Sequence, residues 1–185
     1  MPPNNKHDVL IIGLGNPGRE YEQTRHNLGI RLLQQWARGS WLNETEWPAR
    51  VCHVMHGRQA ITAFFPTPFM NESGSAVANY LNYHPYEPSQ LIIVHDDLEV
   101  PFGQTQWQAA GSAHGHKGVG SIQTALQTQA IARFRLGIGR PPTDVLVDAF
   151  VLQRFSSAEE AHLPAALAHA QHELDHYLDH MSSSS

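Results

Sequence analysis

A chain of 185 residues with 41% hydrophobic and 16% charged side chains has the length of one domain and enough apolar content to bury a core. No apolar run approaches the about 20 residues a membrane helix needs, and 17 acidic against 12 basic side chains leave a formal charge of −5, which argues against a general polyphosphate binder. The single cysteine, Cys52, excludes an internal disulfide and a cysteine-based zinc site and reads as a small core residue.

The opening stretch, Met1 to Asp8, has no basic region followed by apolar residues, so a cytoplasmic chain is expected. Asp8 to Gly13 is a short apolar, β-branched run ending in glycine, and Leu91 to His95 is another; both read as buried strands. Leu28, Leu32, Leu33 and Trp36 recur at helical spacing, as do Ala76, Tyr80 and Leu81, and then Val119, Ile122 and Leu126. Val51 to Met55 and Gln59 to Phe65 flank His56-Gly57-Arg58, which predicts a hairpin or a strand connection, and Gln104 to Ala109 and Phe134 to Ile138 supply further strands. Strands alternating with helices predict an α/β domain of three layers, α/β/α, around a mixed, mostly parallel sheet.

The last helix carries the clearest pattern. Ser156 or Ser157 with Glu159 or Glu160 three residues on is a capping-box start, and Pro164 follows within the first turns. Leu163, Leu167, Ala170, Leu174 and Leu178 form one stripe, and His162, His169, His172, His176 and His180 form a second, nearly opposite, which is expected to face water. Residues 1–181 read as one domain, with 182–185 a frayed serine tail.

Two motifs promise chemistry that their context does not support. Gly13, Gly15 and Gly18 fit G-x-G-x-x-G after a strand, but Pro17 interrupts the turn and Arg38-Gly39 stands where an acidic residue should hold a ribose. His172 to His176 matches H-E-x-x-H, yet a catalytic zinc needs a third ligand and a cleft, and this segment lies on the helix face opposite the leucines. No cofactor and no metal are expected.

A third pattern is distributed. Asn16 and His26, Asn71, Asp96 and the pair His116-Lys117 stand just after strands or at helix starts, where α/β folds build their sites. A histidine beside a carboxylate activates water, with His26 and Asp96 the candidates, and asparagine amides clamp a peptide group or steady an oxyanion. The same residue types also serve as caps and turns, so spacing alone leaves both roles open.

The stretch from Gly13 through Asn16, Tyr21 and His26 to Gly29 resembles the opening signature of bacterial-type peptidyl-tRNA hydrolases. Pro68-Phe-Met-Asn71-Glu-Ser-Gly74 resembles that family's second motif, Val94-His-Asp96-Asp-Leu-Glu-Val-Pro-Phe-Gly103 its third, and Gly111 to Gly118 followed by Phe134 to Pro141 completes a colinear series over about residues 8 to 175. The resemblance implies a metal-free hydrolase that cleaves the ester between a peptide and the terminal ribose of tRNA. In it His26 is the base and Asp96 its orienting partner; Asn71 holds the peptide main chain, Asn16 sits beside the histidine, and Tyr21 and Met70 wall the cleft. The implied partner is the acceptor end of peptidyl-tRNA, and the implied chain is monomeric.

Departures from the family pattern are local. Lys117 stands where the family usually places an asparagine that holds peptide and water; lysine donates but accepts nothing, a cation beside His26 lowers its basicity, and the same charge offers an oxyanion a partner instead. Gln106 and Gln108 replace two basic residues that grip the tRNA 5′ phosphate, leaving Arg133 and Arg135 as the expected tRNA contacts and implying a salt dependence shallower by about 1.8 in logarithmic slope. These changes leave two other readings open: a paralogue acting on a smaller acyl ester, and a non-catalytic module that captures peptide or RNA ends.

Overall fold

The computed structural model describes residues 8–183. Strand β1 (Val9–Gly13) is buried at every position because side-chain alternation sends Val9 and Ile11 to one face and Leu10 and Ile12 to the other, and both faces are covered. Helix α1 (Leu28–Trp36) follows, then β2 (Leu42–Glu44) and the hairpin of β3 (Ala49–His56) and β4 (Gln59–Pro66), which turns at Gly57-Arg58 as expected. Next come α2 (Ser73–Tyr83), β5 (Leu91–Asp97), β6 (Thr105–Gln108), α3 (Lys117–Leu126) and β7 (Ala132–Gly137). A short α4 (Val147–Val151) and the long α5 (Ser157–Ser183) complete the described residues.

The seven strands form one sheet in the order β2-β3-β4-β1-β5-β7-β6. Its four central strands are parallel, and the pairings toward both edges are antiparallel, so the sheet is mixed with a parallel centre. One apolar cluster joins Val9, Ile11, Ile92 and Phe134 to Leu32 of α1 and to the leucine stripe of α5. The other joins Leu10, Ile12, Phe64 and Ile93 to Val77 of α2 and Ile122 of α3. Two helical layers therefore enclose the sheet, the α/β/α arrangement that the alternating pattern predicts.

Ser156 and Glu159 form the expected capping box: Glu159 N–H donates to Ser156 Oγ at 3.3 Å and Ser156 N–H to Glu159 Oε2 at 2.6 Å. The helix that follows buries Leu163, Leu167, Ala170, Leu174 and Leu178 while all five histidines are exposed. It runs through Ser183, which corrects the expected tail: Ser182 and Ser183 continue the helix, and residues 184–185 lie outside the described part.

Two features fix the loop after β1. A side chain on Gly29 would collide with the carbonyl oxygen of Val94, so glycine lets the first turn of α1 lie directly on the sheet. Arg25, 5% exposed, donates to Arg154 O and, at 2.7 Å, to Glu159 Oε2, and its guanidinium stacks 4.2 Å from the Phe150 ring. The turn carrying His26 is thereby tied to both the sheet and the start of α5.

Candidate active site

His26 sits in a single 3-10 turn, Arg25–Asn27, between β1 and α1, and Asp96 lies near the C-terminal end of the neighbouring strand β5. Parallel pairing of β1 with β5 brings the two loops together, and His26 Nδ1 lies 3.0 and 3.1 Å from the two oxygens of Asp96. Both side chains are nearly fully buried. With the N–H at Nδ1 donated to the carboxylate, Nε2 is the nitrogen left to take up a proton.

A second histidine completes the arrangement. His116 caps α3: its Nδ1 accepts from Val119 N–H at 3.3 Å, so its proton is on Nε2, which lies 3.0 Å from Asp96 Oδ1. Burial alone would push the Asp96 carboxyl up, but the charges of His26 and His116 and the hydrogen bonds from both hold it well below the usual carboxylate range. Burial lowers His26, yet the charge and hydrogen bond of Asp96 outweigh it and raise the imidazole above its ordinary value of 6.5, with Lys117 pulling down and Asp148 pushing up. Beneath them His95 is fully buried, donates from Nδ1 to Asp96 O at 2.7 Å and packs its ring edge-on to His116 at 4.7 Å. Burial, then the charge of His116, drives its pKa down to about 3, so it stays neutral.

A cleft of about 580 Å³ opens over this group and brings together Asn16, Tyr21, His26, Met70, Asn71, Asp96 and Lys117, the expected catalytic and substrate-contacting residues. Asn16 is held through its backbone, which exchanges two hydrogen bonds with the Asn27 amide at 2.8 and 2.9 Å. Its own Oδ1 accepts from Met70 N–H at 2.8 Å, fixing the turn that presents Asn71 and leaving Nδ2 as its free donor. Met70 is buried against Gly118, whose lack of a side chain admits the sulfur, whereas Asn71 is exposed in the cleft. Tyr21 meets Phe69 edge to face at 6.3 Å, and Phe69, half exposed, extends the apolar wall.

Lys117 does not reach the imidazole. Its Nζ donates to Asp148 Oδ2 at 2.8 Å, an exposed pair that joins the start of α3 to α4 across the cleft mouth.

The two expected tRNA contacts lie elsewhere. Phe134 and Leu136 turn to the α1/α5 face, so alternation along β7 puts Arg133 and Arg135 on the other face, under the segment that follows β6. Arg133 is 1% exposed and donates to Ser112 O at 2.6 Å; Arg135 is 8% exposed and donates to Asp97 Oδ2 at 2.8 Å and to Gln106 Oε1 at 2.7 Å. Arg135 is spent on the fold, whereas Arg133 keeps Nε and Nη2 buried without a hydrogen-bond partner; in this structure neither guanidinium is open to a phosphate, contrary to the expected tRNA contacts.

Residues 10–184 match the family model for peptidyl-tRNA hydrolase. The chain belongs to that family. Among its relatives, the peptidyl-tRNA hydrolase of Herpetosiphon aurantiacus is 40% identical over 84% of this chain and 77% of its own length. That of Kineococcus radiotolerans is 41% identical over 84% and 83%. The crystal structure of peptidyl-tRNA hydrolase from Acinetobacter baumannii superposes with a TM-score of 0.88 at 28% identity, covering 98% of this chain and 93% of that one.

The sequence pattern sets His116 at a helix start without assigning it a role of its own; that place, immediately before the helix, is the position from which a side chain caps and points back toward the strand ends. Asp148, Phe69 and Arg25 carry no motif signal of that kind. His26, Asp96 and His116 also converge their ligand atoms to within 4.8 Å, the arrangement that can hold a divalent cation. Such an ion would take the groups that a water-activating base and its partner need.

Proposed function

We propose that this cleft hydrolyses the ester between a peptide, or an N-blocked aminoacyl group, and the terminal ribose of tRNA, with His26 Nε2 as general base. The carrying observation is the buried chain His26–Asp96–His116 under a cleft that also presents Asn16 and Asn71. Water loses a proton to Nε2 as its oxygen attacks the acyl carbon; the proton then passes to the departing ribose oxygen, freeing peptide and tRNA. Asp96 keeps the N–H of His26 on Nδ1 and favours the imidazolium that forms. Asn71 holds the peptide main chain, Asn16 Nδ2 stands beside the histidine, and Tyr21 and Met70 shape the wall. Lys117 supplies positive potential at the mouth for the negative charge that develops on the carbonyl oxygen, and no cofactor or metal enters the step.

With this reading go peptidyl-tRNA bound at its acceptor end, a monomeric chain and a cytoplasmic place; no helix among the described residues is long and apolar enough to cross a membrane. The test is single-turnover hydrolysis of an N-blocked aminoacyl-tRNA: His26→Ala should lose about 10²- to 10⁴-fold, and no cleavage by the natural chain at micromolar enzyme would refute the proposal.

The internal use of Arg133 and Arg135, with neutral Gln106 and Gln108 on β6, favours a second reading in which the substrate is a smaller acyl ester. Comparing N-blocked aminoacyl-tRNA with the matching aminoacyl-adenosine ester separates the two. The first reading expects the full tRNA to be cut with the higher kcat/KM.

A further inference from the structure

His26 and Asp96 gather at the rim of the sheet where the parallel strands β1 and β5 end. At the opposite rim, where the antiparallel strand β3 ends, a second cavity of about 590 Å³ opens between β3, the segment after α1 and the latter half of α5. That volume is in the range of a small-molecule site. Trp36, Arg38, Met55, His56, Gln171 and Asp175 are among the residues around it, and none of them enters the hydrolytic chemistry.

Three of its walls offer different contacts. Trp36 is half-buried, and its Nε1 is committed to Asp175 Oδ1 at 2.7 Å, so what it offers a ligand is a fixed indole face. Arg38 is exposed, and its side chain makes no hydrogen bond or ion pair among the described residues. The third wall is main chain. Strand β2 pairs with β3 only at Ala49, Arg50 and Val51, so beyond Val51 the outer edge of β3 has no strand partner. The two-residue turn Gly57-Arg58, with Gly57 at φ 59°, closes on His56 and Gln59 as a hydrogen-bonded pair. Alternation then turns the N–H and C=O of Met55 outward, a donor and an acceptor side by side.

A planar ring with a donor and an acceptor on one edge, attached to an anion, uses all three walls. We propose that this cavity binds a nucleoside monophosphate unit, adenine being the base that fits: the base lies on the Trp36 indole with its Watson–Crick edge against the Met55 main chain, and the phosphate pairs with Arg38. Asp175 holds the indole and lies 3.6 Å from His56 Nδ1; its charge opposes further phosphates, which is why a monophosphate is named. The unit is either a free nucleotide or an unpaired nucleotide of tRNA, since both present the same base and phosphate.

The probe is adenosine 5′-monophosphate, titrated into the full chain and followed by calorimetry and by tryptophan fluorescence. It should bind the natural chain and quench the fluorescence, whereas adenosine and ribose 5-phosphate, each lacking one part, should bind more weakly. Arg38→Ala should weaken the monophosphate by on the order of tenfold and leave adenosine unchanged. Trp36→Phe should remove the fluorescence response, and Arg58→Ala, on the same hairpin but outside the cavity, should change nothing. Arg38 and Arg58 are exposed, so both alanine variants should fold, and their kcat on N-blocked aminoacyl-tRNA should be that of the natural chain because the cavity lies at the rim away from His26. Absence of binding at millimolar monophosphate would overturn the proposal. So would binding that Arg38→Ala leaves undiminished, which would place the nucleotide in the catalytic cleft. Deacylated tRNA separates the two sources: a matching loss of affinity in Arg38→Ala identifies a tRNA nucleotide as the occupant, and an unchanged affinity identifies the free nucleotide.

Discussion

His26 and His116 grip the same oxygen of one buried carboxylate, each with a ring nitrogen 3.0 Å from Asp96 Oδ1. Their rings lie 4.9 Å apart, so the orientation of the base and the cap of α3 are set by a single acceptor.

That sharing predicts the effect of removing the second histidine. In His116→Ala, Asp96 loses one charge-assisted partner and is freer to turn away from His26, so kcat should fall by about tenfold, the equivalent of one such hydrogen bond, with KM little changed. The loss of the Val119 N–H acceptor should also cost about 1 kcal/mol of stability. Steady-state kinetics on N-blocked aminoacyl-tRNA together with denaturant unfolding separate the two effects; an unchanged kcat would show that His116 acts only as a cap.

The base must be neutral to act, and Asp96 raises the pKa of His26, so activity should rise with pH through a midpoint above 6.5. Each neighbour then moves that midpoint in a stated direction. Lys117→Ala removes a charge that lowers the imidazole and should move the acid limb to higher pH; Asp148→Asn removes one that raises it and should move the limb to lower pH. Asp96→Asn should move it lower still while cutting kcat by about 10²-fold or more, because the imidazole loses its orienting partner. Profiles of kcat/KM between pH 5 and 9 decide this, and identical limbs for Lys117→Ala and Asp148→Asn would refute the electrostatic account.

Much of this site was legible in the sequence, for physical reasons that differ by residue. The strands ending near Gly13 and Asp96 announce themselves as continuous apolar runs because both faces of the sheet are covered, and side chains just past their ends must gather at one rim. The leucine stripe of α5 was readable for the same reason, since burial follows period 3.6. Arg133 and Arg135 were not: alternation with Phe134 and Leu136 fixes their face but does not reveal that Ser112 O, Asp97 and Gln106 wait there to take the charge. The pair Lys117–Asp148 joins positions 31 residues apart through α4, whose five residues are too few to display a period.

His95 makes a prediction about stability rather than rate. Its native pKa of about 3 lies below the ordinary 6.5, so between those values the unfolded chain binds a proton that the native chain refuses. Stability therefore falls as pH drops through this window, by up to about 1.4 kcal/mol per pH unit from this group. Between pH 4.5 and 6.5, His95→Gln should reduce that slope even though it lowers stability near neutrality by disturbing the packing on His116. Urea midpoints at several pH values measure it, and an unchanged slope would mean that His95 is protonated in the native state.

The inward-turned arginines of β7 make a prediction about how tRNA is held. Phosphate contacts made by cations release counterions, and each contributes about 0.9 to the slope of log K against log salt on a duplex. With both β7 arginines turned inward and neutral side chains on β6, this chain should bind tRNA with a shallow slope. Introducing Gln106→Lys and Gln108→Lys together should steepen it by about 1.8 and tighten binding at low salt. Gln106 now accepts from Arg135 Nη1, so a lysine there must turn outward, away from the guanidinium, which is the direction a phosphate would approach from. Titration of deacylated tRNA over a salt series reads the slope directly. If the double variant binds with the slope of the natural chain, the tRNA does not pass over β6, and the shallow grip must be sought at exposed cations beside the cleft such as Arg140.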